Sequence, residues 1–240
     1  MSNRFAFMFF FMILIANFFF LEKIEPSDYQ AYEDKLLSLF LFQFDYFLLY
    51  VYVTIKFIKN PIWPLFWLGF VYGSLFIMGM SSIVITDEKE FEVLYSYIQP
   101  VLRLIIIGIF VHIGLVRITN ISKTNAFLLA LGLIAGLYFL ILLHAYPRPI
   151  MWSFYFYWLV LLSFLMVGLL VKFPKTTLLF SIGLIGVFVS DLYYISPPEV
   201  RYYELTYLYI RIINTIGEYL MVSYILNHYI SLKSSSTVSA

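Results

Sequence analysis

The stretch LLFSIGLIGVFVSDLYYI, residues 178–195, decides the class of fold because it is long, apolar and carries a single charge. Its length suits a membrane helix, since roughly 20 residues at about 1.5 Å each cross about 30 Å of hydrocarbon. The charge is Asp191, which lies four residues before Ile195. A carboxylate inside a bilayer costs about 3 kcal/mol unless protein or water satisfies it. The stretch therefore predicts a membrane helix in which Asp191 has a polar partner.

The composition of the whole chain favours the same class. Of its 240 residues, 62% are hydrophobic and 12% are charged, whereas soluble domains have about 45–50% and about 25%. The 26 Phe and 21 Tyr residues suit lipid and its interfaces. A net charge of +1 indicates no nucleic-acid partner, and the absence of Cys excludes disulfides, thiolate metal sites and a cysteine nucleophile. We expect a polytopic membrane protein whose partners are membrane lipids.

Apolar runs of membrane-crossing length divide the chain into eight predicted spans, an all-α bundle. Connections between them are short, which predicts one multi-pass domain over residues 1–240 with no soluble module and a polar tail, SLKSSSTVSA. The first run resembles a signal peptide, but it is longer than a typical apolar core and no small-x-small site follows it, so we read it as a retained helix. The predicted spans are 5–21, 36–55, 62–85, 98–116, 125–145, 150–171, 176–195 and 205–226.

The charges in the loops predict the orientation of these spans. With the N-terminus in the cytoplasm, eight Lys and Arg residues fall on the inner side and five on the outer side, in agreement with the positive-inside rule. The acidic loop residues all fall on the outer side, beginning with the segment 22–35. We therefore expect both termini to be cytoplasmic, in a plasma or inner membrane.

Five charged residues fall inside the predicted spans, and they come from four different spans. Their estimated depths mostly lie in the outer half of the bilayer. The seventh and eighth spans are joined by a short turn containing Pro197 and Pro198, so they should be antiparallel neighbours. Because Asp191 and Arg211 then lie at similar depths, we predict that they form an ion pair. The five residues are Asp45, Arg103, Asp191, Arg211 and Glu218.

The last span carries a polar stripe. Arg211, then Asn214 or Thr215, then Glu218 follow i, i+3/i+4, i+7 spacing, which places them on one helical face. Such a face must point into the bundle, where the charges either fix helix packing or line a cavity. We expect a polar cavity that holds a lipid headgroup, with one carboxyl protonated and another ionised. Asp191 and Glu218 are the predicted catalytic pair, and the predicted substrate-binding residues are Asp45, Arg103, Ser190, Arg211 and Asn214.

Other chemistries lack the residues they need. His112 lies within the fourth span, His144 near the outer end of the fifth and His228 at the inner end of the eighth, so the three histidines do not form one metal site. The last span has no lysine for a retinal Schiff base, and no GxSxG, HExxH or P-loop motif is present. We expect neither a metal nor a cofactor.

The segment SIGLIGVFVSDLYYIS resembles the seventh helix of the YhhN-type lysoplasmalogenase family, which has eight membrane helices and a Gly-x-x-x-Phe-x-x-Ser-Asp run. Here the run consists of Gly186, Phe188, Ser190 and Asp191 with slightly altered spacing. The family's aromatic-rich eighth helix is similar to NTIGEYLMVSYIL, which contains Glu218. The motifs cover about the last quarter of the chain.

The resemblance implies hydrolysis of the vinyl-ether bond of lysoplasmalogens, with a lysophospholipid as substrate and carboxylates as general acid and base. The family has a Gly-Asp in its third helix, where this chain has Gly79 followed by Met80, and the family's fourth-helix His is matched only loosely by His112. Asp191 would then need Glu218 or Asp45 as its partner. The alternative is a non-catalytic membrane protein, either a lipid-binding accessory or a small-solute or proton-coupled carrier.

Overall fold

The described part of the chain is all-α. The computed structural model describes Phe11 and residues 32–81, 84–85, 88–145, 151–173, 178–196 and 204–238. Within these ranges there are seven α-helices and a short 3₁₀ turn, Ile118–Asn120. The all-α prediction is thereby confirmed. The helices are α1 (Tyr32–Lys59), α2 (Trp63–Ser81), α3 (Glu88–Ile113), α4 (Lys123–Ala145), α5 (Met151–Leu169), α6 (Leu178–Tyr194) and α7 (Glu204–Val238).

Each predicted span from the second to the eighth corresponds to one of these helices, in order. The first, 5–21, lies outside the described residues apart from Phe11. The largest differences are at α3, which begins at Glu88 rather than 98, and at α7, which continues through Val238 rather than ending at 226. Both extensions carry more polar residues than the predicted spans, so the apolar runs do not include them. Backbone hydrogen bonds can continue a helix beyond such a run.

Within the described residues, four segments are long and apolar enough to cross a membrane, namely α2, Val93–Ile113 of α3, α4, and Trp152–Leu169 of α5. The helix α6 is apolar but has 17 residues, about 26 Å at 1.5 Å per residue. Along α4, large apolar side chains such as Phe127, Ile134 and Ile141 are more than 60% exposed. An outward apolar face of this kind suits lipid, and the architecture is that of a membrane protein.

The helices associate mainly in three pairs: α1 with α2, α3 with α5, and α6 with α7. The helix α4 packs on α5 and α6, while α1 reaches α7 and α2 reaches α3. Gly114, with φ of 107°, ends α3 in a conformation that favours glycine. The next residues bond to the end of α5, since Val116 N donates to Leu170 O (2.8 Å) and Lys172 N to Gly114 O (2.9 Å). Because their C-terminal ends meet, α3 and α5 run in the same direction.

Small residues bring α6 and α7 into backbone contact. A Cβ atom at Gly183 would lie 2.9 Å from the Gly217 carbonyl oxygen, and one at Gly217 would lie 3.0 Å from the Val187 nitrogen. Glycine is therefore required for this spacing, as at other close helix crossings in membranes. The contact fixes the register of α6 on α7, and so the position of Asp191 relative to the polar stripe.

Candidate functional site

The polar stripe of α7 faces the interior, as the sequence predicts. Arg211 is 6% exposed, and Asn214 and Glu218 are fully buried. On the opposite face Ile213 and Ile216 are 42% and 37% exposed. The helix therefore presents its polar side chains to the bundle and its isoleucines outward. Its charges need partners from other helices, because a buried charge without one is strongly destabilising.

Arg103 of α3 joins the two predicted catalytic carboxylates. Its Nε and Nη2 donate to Asp191 of α6, at 2.6 Å to Oδ2 and 3.0 Å to Oδ1. Its Nη2 also lies 2.8 Å from Oε1 of Glu218 on α7. On the other side of Glu218, the Tyr72 hydroxyl donates to Oε2 at 2.6 Å. Three helices thus meet on one guanidinium, and a fourth, α2, supplies the hydroxyl.

The guanidinium of Arg103 also packs against an aromatic ring. Its central carbon lies 5.3 Å from the centroid of the Phe164 ring on α5, a distance at which a ring attracts a cation. Arg103, Asp191 and Glu218 are each at most 1% exposed. With both carboxylates ionised, these three residues carry a formal charge of −1. Adding one proton would make them neutral, which a low-dielectric interior favours.

A second ion pair lies on the same face of α7. Arg211 Nη2 donates to Oδ1 of Asp45 on α1, and Thr215 Oγ1 donates to Oδ2 of the same carboxylate at 2.7 Å. The Arg211 guanidinium lies 4.9 Å from the Tyr46 ring centroid. Asn214 Nδ2 donates to the Tyr46 hydroxyl at 2.8 Å. Thr215 and Tyr46 thus contact the pair, which carries no net formal charge.

The predicted Asp191–Arg211 pair is wrong. Asp191 binds Arg103, and Arg211 binds Asp45. The helices α6 and α7 are neighbours, as expected, but Asp191 is directed toward α3 while Arg211 is directed toward α1. The rotation of each helix about its axis decides this, and that rotation depends on packing such as the glycine contact between α6 and α7.

The two remaining predicted site residues, Ser190 and Asn214, belong to neither ion pair. Ser190 joins neither, because its hydroxyl donates to the Gly186 carbonyl of its own helix (2.7 Å) and to the Ile210 carbonyl of α7 (3.2 Å). It therefore contributes to helix packing. Asn214 lies between the pairs, with its Oδ1 buried and without a hydrogen bond to any described residue. Whether these residues line a headgroup cavity stays a prediction.

Sequence reasoning missed Tyr72, Gln99 and Tyr157. Gln99 is 1% exposed, and both tyrosines are fully buried. Tyrosine is abundant in this chain and is expected at membrane interfaces. The sequence alone therefore does not distinguish the two buried tyrosines from the others. Gln99 could have been found, because an amide in the apolar part of α3 needs an interior partner.

His144 is in the last turn of α4, as predicted, but His112 lies nearer the end of its helix than the sequence predicts. His112 is in the last turn of α3 rather than within a longer span, and its ring stacks on Tyr229 of α7, with centroids 6.0 Å apart. His228, next to Tyr229, contacts Phe173 with ring centroids 5.9 Å apart. Burial lowers the pKa of His228, and the nearby His112 lowers it further. Among the described residues, no group of three or more His, Asp or Glu side chains could hold a metal ion.

Comparison with protein-family models, curated proteins and solved structures finds no match to this chain. The resemblance to lysoplasmalogenases that the sequence suggests therefore stays a prediction. The geometry adds an independent observation, because Asp191 and Glu218 share the guanidinium of Arg103 although they come from different helices.

Proposed function

We propose that this chain is a multi-pass integral membrane protein of eight spans that hydrolyses the vinyl-ether bond of lysolipids. The observation that supports the activity is the convergence of Asp191 and Glu218 on Arg103, at 2.6 and 2.8 Å. Two carboxyl groups held on one cation, with one proton between them, form an acid and a base in the same place. The substrate class comes from the resemblance of the α6 and α7 motifs to lysoplasmalogenases.

Glu218 is the proposed acid and Asp191 the proposed base. Two Arg103 nitrogens bind Asp191, an arrangement that stabilises its ionised form. Glu218 lies against a single Arg103 nitrogen, which it shares with Asp191, so its ionised form is stabilised less than that of Asp191. When Glu218 carries the proton, the Tyr72 hydroxyl 2.6 Å away accepts the hydrogen bond instead of donating it.

The proposed reaction needs only water and this proton. The Glu218 carboxyl protonates the outer carbon of the enol ether, and the C=C electron pair forms the new C–H bond, which leaves an oxocarbenium ion. Water adds to the carbon bound to oxygen, and Asp191 takes the proton that the water loses. The hemiacetal then breaks its C–O bond as its hydroxyl proton passes to the departing alkoxide oxygen, giving a fatty aldehyde and a glycerophospho-headgroup. The proton held by Asp191 returns to Glu218, which restores the starting state.

The test is to incubate the purified full chain with an alkenyl lysophospholipid and to measure aldehyde release. The wild type should release aldehyde, and Asp191→Asn and Glu218→Gln should each reduce release by at least about 100-fold, as expected for loss of an acid or a base. Glu90→Gln provides a matched control, because Glu90 is exposed at the start of α3.

Absence of aldehyde from folded wild type would rule out the hydrolase. The second candidate is then a proton-coupled carrier, which is favoured by the formal charge of −1 on Arg103, Asp191 and Glu218. In that case proteoliposomes should show substrate-dependent proton uptake, and Glu218→Gln should abolish it. A lipid-binding accessory would show neither aldehyde release nor proton uptake.

A further inference from the structure

Three buried polar groups between α3 and α5 have unused hydrogen-bonding capacity. Arg103 uses Nε and Nη2 on the carboxylates, while its Nη1, with two N–H groups, has no hydrogen-bond partner among the described residues. The same holds within that part of the chain for Gln99 Oε1 and for the Tyr157 hydroxyl. Each of these side chains is at most 1% exposed. Buried polar groups are rarely left without partners, so each such group calls for an explanation.

The three groups belong to one face of the α3–α5 interface. Gln99 and Arg103 are four residues apart on α3, which places them on the same side of the helix. Along α5, Tyr157 lies between two residues that contact this side of α3. Ser153 is hydrogen-bonded to Ser96 at 2.9 Å, and the Phe164 ring lies against Arg103. Because α3 and α5 are parallel, Tyr157 is at the level of Gln99 and Arg103.

Two further polar groups of α3 lie near these three, the Tyr95 hydroxyl and the Ser96 carbonyl. The Tyr95 ring lies 6.3 Å from that of Tyr157, and the two hydroxyls interact without the geometry of a hydrogen bond. Pro100 lies inside α3, and proline has no N–H to donate to the carbonyl four residues earlier. The Ser96 carbonyl therefore lacks its usual helical donor, next to the hydroxyl of the same residue.

The charges nearby determine which ligand group fits. Arg103 already faces two carboxylates, so its surroundings hold no excess positive charge and a phosphate gains little there. Nη1 and the Tyr157 hydroxyl can donate, and Gln99 Oε1 can accept. A neutral hydroxyl complements this set, because it accepts from the arginine or tyrosine and donates to the amide.

We propose that Gln99, Arg103 Nη1 and Tyr157 form a subsite for a neutral hydroxyl group of the lipid ligand, the free hydroxyl on the glycerol of a lysolipid. This inference rests on the proposed function for its ligand class. It assigns recognition of the single-chain lipid to the α3–α5 interface, because a diacyl lipid has an ester in place of that hydroxyl. A bound water would satisfy the same groups but would not distinguish between lipids.

The test uses two lipids that the proposed reaction cannot cleave: a 1-O-alkyl lysophosphatidylcholine and its 2-deoxy analogue, which lacks only the hydroxyl. Native mass spectrometry of the full chain in detergent gives the Kd of each. The wild type should bind the hydroxyl lipid about tenfold more tightly, a difference of about 1.4 kcal/mol. Tyr157→Phe should reduce this ratio to about twofold or less, mainly by weakening binding of the hydroxyl lipid.

Tyr157→Phe is suited to this test because it removes only a hydroxyl, whose contact with Tyr95 lacks the geometry of a hydrogen bond, and keeps the ring, so the variant should fold about as well as the wild type. Gln99→Leu provides a second variant, which should also reduce the affinity ratio to about twofold or less. Tyr97→Phe is the matched control, since Tyr97 is 52% exposed on α3, and its ratio should stay near tenfold.

Equal affinity of the wild type for the two lipids would overturn the subsite and leave only a bound water there. Failure to bind either lipid, or a full preference retained by Tyr157→Phe, would overturn it as well. The two proposals fail separately. If the wild type prefers the hydroxyl lipid but releases no aldehyde from the alkenyl lipid, the proposed hydrolase activity is ruled out and the subsite is supported. If it releases aldehyde but binds the two lipids equally, the subsite is ruled out and the hydrolase activity is supported.

Discussion

Tyr72 Oη donates a 2.6 Å hydrogen bond to Glu218 Oε2, across 146 residues of sequence and between two buried side chains. The bond joins α2 to α7, which are neighbours neither in the chain nor among the main helix pairs. Because a buried carboxyl group must be satisfied by its surroundings, this hydroxyl stabilises Glu218 in its buried position.

Replacing Tyr72 by Phe should lower the free energy of unfolding by about 1–3 kcal/mol, the usual cost of leaving a buried polar group without its hydrogen-bond partner. Chemical denaturation in detergent micelles measures this loss. Tyr138→Phe is the control, because Tyr138 is 64% exposed on α4 and should change stability by less than about 0.5 kcal/mol. Equal effects of the two changes would mean that the Tyr72–Glu218 bond contributes nothing to stability.

The pairing of the arginines can be tested by double-mutant cycles. Arg103→Met alone should cost about 3–5 kcal/mol, because it leaves two buried carboxylates without their cation. Adding Asp191→Asn should cost less than the sum of the single changes, with a coupling of about 0.5–3 kcal/mol. The same coupling is expected for Arg211→Met with Asp45→Asn.

The discriminating control for these cycles is Arg211→Met combined with Asp191→Asn. In the structure Asp191 is bonded to Arg103 and Arg211 to Asp45, so these two changes should be close to additive. A larger coupling for Asp191 with Arg211 than for Asp191 with Arg103 would restore the pairing predicted from the sequence.

The contact between α6 and α7 should not tolerate a side chain at Gly217. We expect Gly217→Val to cost about 2–3 kcal/mol or to prevent folding, since its Cβ would press on the Val187 backbone. Gly108→Ala is the matched control, because a Cβ atom there meets nothing within 4 Å. It should be neutral or stabilise α3 by up to about 1 kcal/mol. Comparable losses from both variants would contradict the close crossing.

The lowered pKa of His228 predicts a contribution to the pH dependence of stability. Folded protein binds a proton at this imidazole less readily than the unfolded chain does, because of burial and then His112. The free energy of unfolding should therefore fall as the pH drops through 6.5, the ordinary value. His228→Gln should flatten this fall in melts between pH 8 and 5.5, and His144→Gln, at an exposed position on α4, should not. Identical slopes for wild type and His228→Gln would refute the contribution.

The topology predicted from the loops can be tested with reporter fusions. A reporter at Ser239 should be cytoplasmic and one at Asp28 should be on the outer side, because the Lys and Arg residues of the loops are concentrated on the inner side. Opposite results at both sites would reverse the orientation. The same location at both sites would change the number of spans.

The sequence by itself determined the helices. An apolar run of membrane length is a local property, since each helical hydrogen bond joins residues four apart, and every predicted span that falls within the described residues corresponds to a helix. It also showed that the stripe from Arg211 to Glu218 faces inward, because charges on one helical face cannot face lipid. Asp191 and Glu218 were selected in the same way, since few charges lie in the spans.

Only the tertiary structure decided which partners these residues have. Depth along a helix can be counted from the sequence, but rotation about the helix axis depends on contacts such as Gly183 against Gly217. That rotation directs Asp191 to Arg103 rather than Arg211. It also brings Tyr72, an uncharged residue in an aromatic-rich helix, onto Glu218. Long-range pairing of this kind is the sum of many weak packing contacts, and no single stretch of sequence encodes it.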